Sequence, residues 1–272
     1  MRLVADSGSS KTDWVILKDR HVELEFQTSG INPFFRDTNS IEQELSPILK
    51  CYEGKIKSIS FYGAGVVNAQ KGEVIAKAFR NILGDVCMEI ESDLLGAARA
   101  LSGNVASIVC ILGTGSNVCL YDGSKVIQQI PAMGFILGDE ASGAVLGRQL
   151  IGDYFKGIMP INMQQSFYEK YHVEALDVIE NTYRSPSPNR YLAQFAMFLG
   201  EHKKDSYIQS ILANQFENFV VRNILQIANA RDYTVNIVGS IGYHFKEEIE
   251  IQLKKKGLNL GVVLKSPIEG LK

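Results

Sequence analysis

Two short apolar runs, 2–6 and 14–18, flank a stretch of Gly, Ser and Thr, and the chain then alternates through Val22, Leu24 and Phe26. That pattern predicts a hairpin followed by a third strand over 21–28. Ile41, Leu45, Ile48 and Leu49 recur at helical spacing, so 40–51 reads as a helix. Residues 56–62 read as a strand ending on Gly63-Ala64-Gly65, and 70–83 as an amphipathic helix with Val74, Ile75, Ala78 and Ile82 on one face. A strand at 86–90 and a short helix at 93–101 follow. The pattern then restarts. Strands are expected at 105–112, 117–121 and 125–130, the last two joined through the tight-turn pair Asp122-Gly123. Helices run from there to about residue 230, broken at Ser185-Pro186-Ser187-Pro188. Strands at 235–238 and 262–264 enclose a last helix at 247–256.

The restart places a boundary near Ser102-Gly103-Asn104. The expected domains are 1–104 and 105–272, the second with a helical insertion and with final residues that could return to the first. A chain of 272 residues exceeds one small core, which agrees with that division. The two halves share a pattern of elements and almost no residues.

Composition narrows the function classes. Hydrophobic residues at 46% and charged residues at 21% suit a soluble globular protein. A net charge of −2 gives no basic footprint for nucleic acid. The longest apolar stretches, such as 105–112, are too short to span a bilayer, so no membrane partner is expected. The N-terminus shows no apolar core with a cleavage site, so no signal peptide is expected. Cys51, Cys87, Cys110 and Cys119 form no C-x-x-C pair, and three or four buried, reduced thiols are the expected state. Together these features point to the cytoplasm. His21, His172, His202 and His244 are scattered and lack metal-ligand spacing.

The loops carry the chemistry. In Asp6-Ser7-Gly8-Ser9-Ser10-Lys11-Thr12-Asp13, small residues expose consecutive backbone N–H groups able to cradle an anion. Asp6 ends the first strand, where a carboxylate could hold Mg²⁺ directly or through water. Lys11-Thr12 mimics the end of a P-loop, but the G-x-x-x-x-G-K-[ST] spacing fails. Alone, such a stretch is more often only a turn. Leu112-Gly113-Thr114-Gly115-Ser116-Asn117 has the same character at the same place in the second half, so the pair could clamp a triphosphate. In Gly134 to Gly143 a helix is expected to start near Asp139, where acids are favoured by the helix dipole alone. Gly239-Ser240-Ile241-Gly242, between a strand and a helix, would let a flat ligand such as adenine approach the backbone. Asp93, in Glu91-Ser92-Asp93, reads either as a helix N-cap or as a catalytic base at the C-terminal end of a strand.

As a set these loops resemble those of the actin/hexokinase/Hsp70 nucleotide-binding superfamily. Within it the chain is similar to the N-acetylglucosamine kinase branch, which groups with the ATPases that activate benzoyl-CoA reductase and 2-hydroxyacyl-CoA dehydratases. The resemblance covers nearly the whole chain. Residues 6–12 look like the first phosphate motif, with serines replacing two of its usual glycines. Residues 113–117 look like the second phosphate motif and are the most specific match. The Gly-Asp-Glu-x-Ser-Gly run at 138–143 matches the next signature, and 239–242 stand where the adenosine motif belongs.

The resemblance implies an α/β fold of two ribonuclease H-like (actin-like ATPase) domains with a nucleotide and sugar cleft between them. It implies that Asp93 is the base that takes a proton from a sugar hydroxyl. Asn32, Gly65, Thr114, Asn117 and Asp139 become sugar-contacting or site-ordering positions. Gly8, Ser9, Ser10, Lys11, Thr12, Gly113, Thr114, Gly115, Gly239, Ser240 and Gly242 fall on ATP, and Asp6 on Mg²⁺. The implied reaction is transfer of the γ-phosphoryl group of ATP to the 6-hydroxyl of N-acetylglucosamine or a close amino sugar, by a homodimer. A radical-dehydratase activator is a weaker alternative, because no cysteine follows Cys119 to ligate a cluster. A sugar-sensing regulator or an actin-like filament subunit is the non-enzymatic alternative.

Overall fold

Five strands build the first sheet in the order β3-β2-β1-β4-β5. They are β1 (Arg2–Ser7), β2 (Lys11–Lys18), β3 (His21–Ser29), β4 (Ser58–Gly63) and β5 (Cys87–Ser92). β1, β2 and β3 form an antiparallel meander, while β1, β4 and β5 run parallel. α1 (Thr38–Leu49) and α2 (Ala69–Leu83) supply the crossovers to β4 and β5, and α3 (Asp93–Ser102) follows β5. The computed structural model describes residues 1–8, 10–19 and 21–272. They divide into two units: Met1–Val105 with Gly123–Val126 and Ser266–Lys272, and Ala106–Asp122 with Ile127–Lys265.

β2 is buried along both faces, which its apolar run Trp14-Val15-Ile16-Leu17 requires. On one face Trp14 and Ile16 pack with Ile41 and Leu45 of α1 and Ile75 and Phe79 of α2. Trp14 stacks on Phe26 at 5.5 Å and meets Phe79 edge-on, and its Nε1 donates to Thr28 Oγ1 at 2.9 Å. The other face, with Val4, Val15, Leu17 and Tyr62, is closed by Leu271 from the end of the chain. Gly270 lets that last segment approach: a Cβ there would lie 2.2 Å from the carbonyl oxygen of Ala100.

The second unit repeats the topology. β6 (Ser107–Leu112), β7 (Ser116–Tyr121), β8 (Val126–Ile130), β9 (Thr234–Val238) and β10 (Asn259–Leu264) lie in the order β10-β9-β6-β7-β8. Read from the meander edge, both sheets run third, second, first, fourth, fifth. Between β8 and β9 come α4 (Gly134–Leu137), α5 (Gly143–Phe155), α6 (Ile161–Tyr171), α7 (Ala175–Tyr183), α8 (Pro188–Ala193), α9 (Ala196–Glu201) and α10 (Ser206–Arg222). α11 (Ser240–His244) and α12 (Lys246–Lys255) follow β9, and α13 (Ile268–Leu271) ends the chain. Phe167, Phe195, Phe198, Phe216 and Phe219 fill the core of this unit.

Three expectations are corrected. The helix after Gly138 starts at Gly143, with Ser142 as its cap, and not near Asp139. Cys51 and Cys87 are exposed, so only Cys110 and Cys119 of the four are buried thiols. β6 starts at Ser107, because Val105 faces solvent. No helix among the described residues is long and apolar enough to cross a membrane.

Candidate functional site

Register fixes the first half of the site. Asp6 of β1 lies directly opposite Asp13 of β2, and Ser7 opposite Thr12. The turn is closed by Gly8 N–H donating to the Lys11 carbonyl at 3.0 Å. The amide of Ser10 has no acceptor among the described residues. Ser9, named above as a phosphate contact, lies outside the described residues.

Below the turn a buried hydroxyl network does the fastening. Ser7 Oγ lies 2.8 Å from Thr12 Oγ1 and accepts from Ile31 N–H at 2.8 Å, while Thr12 Oγ1 donates to the Ser29 carbonyl at 3.1 Å. The structure therefore places the Thr12 hydroxyl in the chain's own network and away from the surface of the loop. The Lys11 ammonium is exposed and paired with Asp13 at 2.8 Å. Asp13 also accepts from Gln27 Nε2 at 2.6 Å and from Ser266 Oγ at 3.3 Å. Asp13 is a residue that sequence reasoning passes over. Its position opposite Asp6 is a signal that the hairpin register could have supplied.

Asp6 has no such donors among the described residues. Burial first, then the charges of Asp93 and Asp13, push its carboxyl up to about 8, against a smaller opposing pull from Lys11. A cation beside it would favour the ionised form of such a carboxyl. Mg²⁺ is commonly held by one or two carboxylates together with substrate phosphates. Asp6, one residue from the end of β1 and next to this turn, fits that donor set, and no cluster of three or more metal-ligating side chains occurs among the described residues.

Asp93 follows β5 at the C-terminal ends of the parallel strands, the edge of an α/β sheet where ligands bind. Ser92, not Asp93, is the N-cap of α3: its Oγ accepts from Leu95 N–H at 3.2 Å. The Asp93 side chain is thus spared capping duty. It accepts from Leu94 N–H at 2.9 Å, and burial pushes it up to about 6. Asn32 and Gly65 are brought together. Gly65 has φ +84°, and a Cβ on it would lie 2.3 Å from Asn32 Oδ1. That oxygen accepts from Phe34 N–H at 2.9 Å, so the Nδ2 donor is the group left to a ligand.

In the second unit three loops converge. The β6–β7 turn is held from below by α5, whose Gly143 and Ala144 N–H groups donate to the carbonyls of Gly113 and Thr114 at 2.8 and 3.1 Å. With its carbonyls so used, the turn keeps the amides of Thr114 and Gly115 free of acceptors among the described residues. Two consecutive unpaired N–H groups are able to receive an anion. Asp139 lies against this turn. Its Oδ1 accepts from Ser116 N–H at 3.2 Å, and a Cβ on Gly115 would come within 3.0 Å of its Oδ2. Burial and the neighbouring Glu140 raise the Asp139 carboxyl, and the Ser116 amide pulls it back. Asn117 is engaged by the chain, its Oδ1 accepting from Val118 N–H and Gln129 Nε2.

Gly239 and Gly242 are glycines for an internal reason. Gly239 has φ +117°, and a Cβ on it would lie 2.3 Å from the Leu112 carbonyl oxygen. A Cβ on Gly242 would lie 2.4 Å from Ile237. Close packing of the β9–α11 loop on β6 thus accounts for Gly239, and close packing of α11 on Ile237 of β9 accounts for Gly242. Ser240 is exposed at the start of α11.

Glu140 is a second residue that sequence reasoning misses. Asp139 and Ala141 both sit at positive φ, 52° and 59°, a strained conformation for residues with a Cβ. Between them Glu140 is clamped by Arg222 Nε at 2.5 Å and Asn223 Nδ2 at 3.1 Å from the C-terminal end of α10. The clamp holds the loop in the shape that sets Asp139 under the turn. Glu140→Ala leaves the buried Asn223 amide without its acceptor and is expected to cost about 2 kcal/mol of stability. Thermal unfolding measures it, and a melting temperature equal to wild type would discard the clamp.

Solved structures place the chain among known proteins. A Porphyromonas gingivalis protein, provisionally described as an N-acetylglucosamine kinase, matches at 43% identity and a TM-score of 0.95, over 100% of this chain and 97% of that one. A Chromobacterium violaceum protein with the same provisional description matches at 15% identity and a TM-score of 0.71, over 99% and 94%. A ROK-family glucokinase from Streptomyces griseus, solved with glucose and AMPPNP, matches at 12% identity and a TM-score of 0.58, over 97% and 93%. The latter two likenesses show the fold alone. No family model and no curated protein matches the sequence.

Proposed function

We propose, for a chain that belongs to the N-acetylglucosamine kinase-like family of the actin/hexokinase/Hsp70 superfamily, that it is an ATP-dependent kinase of an amino sugar. The favoured acceptor is N-acetylglucosamine, phosphorylated at its 6-hydroxyl. The observation that carries this reading is Asp93: a carboxyl at the end of a parallel strand, relieved of capping by Ser92 and pushed to about 6, where it is ionised at neutral pH yet still basic enough to take a proton. The family likeness at 43% identity supports it.

Phosphoryl transfer asks mainly for positioning and for donors aimed at the phosphate oxygens. In this reading the first unit offers the unpaired Ser10 amide to phosphate oxygens and Asn32 Nδ2 to a sugar oxygen, and the second unit offers the unpaired amides of Thr114 and Gly115 to phosphate oxygens. Asp139 accepts from the sugar or orders the turn beside it. Asp93 takes the proton of the attacking sugar hydroxyl as the hydroxyl oxygen bonds to the γ-phosphorus and the bond from that phosphorus to the β–γ bridging oxygen breaks, leaving ADP. Asp6 would hold Mg²⁺, which when bound neutralises charge on the β- and γ-phosphates. Homodimer formation and a cytoplasmic location belong to the same proposal, on the family likeness alone.

The test is release of ADP from ATP with a panel of amino sugars and hexoses. The expected result is release that depends on both Mg²⁺ and N-acetylglucosamine. Release that is equal with and without any sugar would overturn it.

A further inference from the structure

In the second unit, α7 turns its apolar side outward. Val178 is its one buried side chain, packed in the core of that unit. Leu176, Ile179 and Tyr183 recur at positions i, i+3 and i+7, and they are 80%, 55% and 82% exposed. At 3.6 residues per turn the three fall within an arc of about 60°, on the side of the helix away from Val178. A surface helix ordinarily lays such a stripe on its own core. Here the core has only Val178, and the stripe is left to water. An apolar stripe in that position marks a surface that another molecule covers.

The two flanks of the stripe differ. One carries Asp177, Glu180 and Arg184, all exposed, and none of the three is in an ion pair among the described residues. The other carries Ala175 and Thr182, which are small and uncharged. The charged flank is therefore acidic towards the start of α7 and basic at its end.

Area sets the scale of the occupant. The three side chains expose about 400 Å² of mainly apolar surface. A stable interface takes roughly 800 Å² from each partner, of which about 56–58% is apolar. The stripe supplies nearly all of that apolar share, and the charged flank suits the polar rim.

We propose that α7 is the face on which two copies of this chain associate, their stripes antiparallel across a two-fold axis. The proposal rests on the homodimer inferred above from family likeness and names its face from this chain's own residues. A two-fold axis brings each flank against the same flank of the second copy, turned end for end. With the axis midway between Leu176 and Tyr183, Leu176 meets the partner's Tyr183, and Ile179 meets the partner's Ile179. At a rise of 1.5 Å per residue, Asp177 and the partner's Arg184 then differ by only about 3 Å along the helix. A parallel arrangement would set acid on acid and base on base. A flank that matches its own reverse is what a second copy requires and an unrelated partner does not.

The test is sedimentation equilibrium of the full chain, as wild type, Ile179→Arg, Asp177→Arg and the double variant Asp177→Arg/Arg184→Asp. Wild type is expected to be a dimer at about 10 µM, within the range of interfaces of this size. Ile179→Arg sets two like charges on the axis and should weaken association by at least about a hundredfold. Asp177→Arg should weaken it by roughly tenfold, and the double variant should restore it. The restoration separates pairing between copies from damage to the fold. Wild type that sediments as a monomer would overturn the face together with the homodimer. A dimer that Ile179→Arg leaves intact would overturn the face alone, as would a double variant no tighter than Asp177→Arg. None of these outcomes bears on the kinase reading, which sugar-dependent ADP release decides.

Discussion

Asp93→Asn is expected to lower kcat by two to four orders of magnitude, the range of a lost general base, with the fold intact. An amide occupies the same space and can still accept from Leu94 N–H, but it cannot take a proton. The pH profile carries a second signature. Asp93 works only when ionised, and burial pushes its carboxyl up to about 6. Wild-type kcat should therefore rise with pH, reach half its plateau near pH 6 and stay level above, while the residual activity of the variant shows no such step. Stability runs the other way. A carboxyl whose folded pKa lies above its unfolded value binds its proton more tightly in the fold. Its favourable contribution is present below about pH 4 and is lost as pH climbs to about 6. Removing the charge at neutral pH should leave the melting temperature unchanged or raised, so lost turnover cannot be put down to unfolding. Near-normal turnover in Asp93→Asn would remove Asp93 as the base.

The fold is legible in the sequence because its signals are local. Period-two alternation in Val22, Leu24 and Phe26 and helical spacing in 70–83 each specify an element without help from distant residues, and the restart after Ser102 exposes the repeated topology. The site is legible only as far as its glycines and its motif spacings. What the sequence hides depends on partners far along the chain. Glu140 gains its meaning from Arg222 and Asn223, some eighty residues away. Asp13 gains part of its meaning from Ser266, at the other end of the chain. The start of α5 is misplaced from sequence because acids at a helix N-terminus and acids in a strained loop look alike in one dimension. The two residues at positive φ, Asp139 and Ala141, are not glycines and so give no warning. Gly239 and Gly242 show the converse: a motif glycine can be demanded by the Leu112 carbonyl or by Ile237 as firmly as by any ligand.

Asp6→Asn is expected to abolish turnover and, in the metal-free protein, to make the fold more stable. Asp6 stands opposite Asp13, feels the charge of Asp93 and has no donor among the described residues, and its carboxyl is pushed up to about 8. Like charges facing each other across two strands are unfavourable, and burial makes them more so. The folded chain therefore takes up a proton on Asp6 that the unfolded chain, with a carboxyl near 3.8, does not hold above about pH 4. Stability is greatest below that pH and falls by about 1.4 kcal/mol per pH unit as pH rises towards 8. The amide of the variant escapes this cost because it has no charge to give up. The variant's melting temperature should exceed that of wild type by about 5 °C or more at pH 8, and the gap should shrink to nothing near pH 4. Activity pays for the gain. Without a carboxylate to face a cation next to the β1–β2 turn, ADP release should fall by at least about a hundredfold. The two readouts test different links: unfolding temperature against pH tests the electrostatics, and ADP release tests the role. A variant less stable than wild type at pH 8 would refute the first, and one that keeps Mg²⁺-dependent turnover would refute the second.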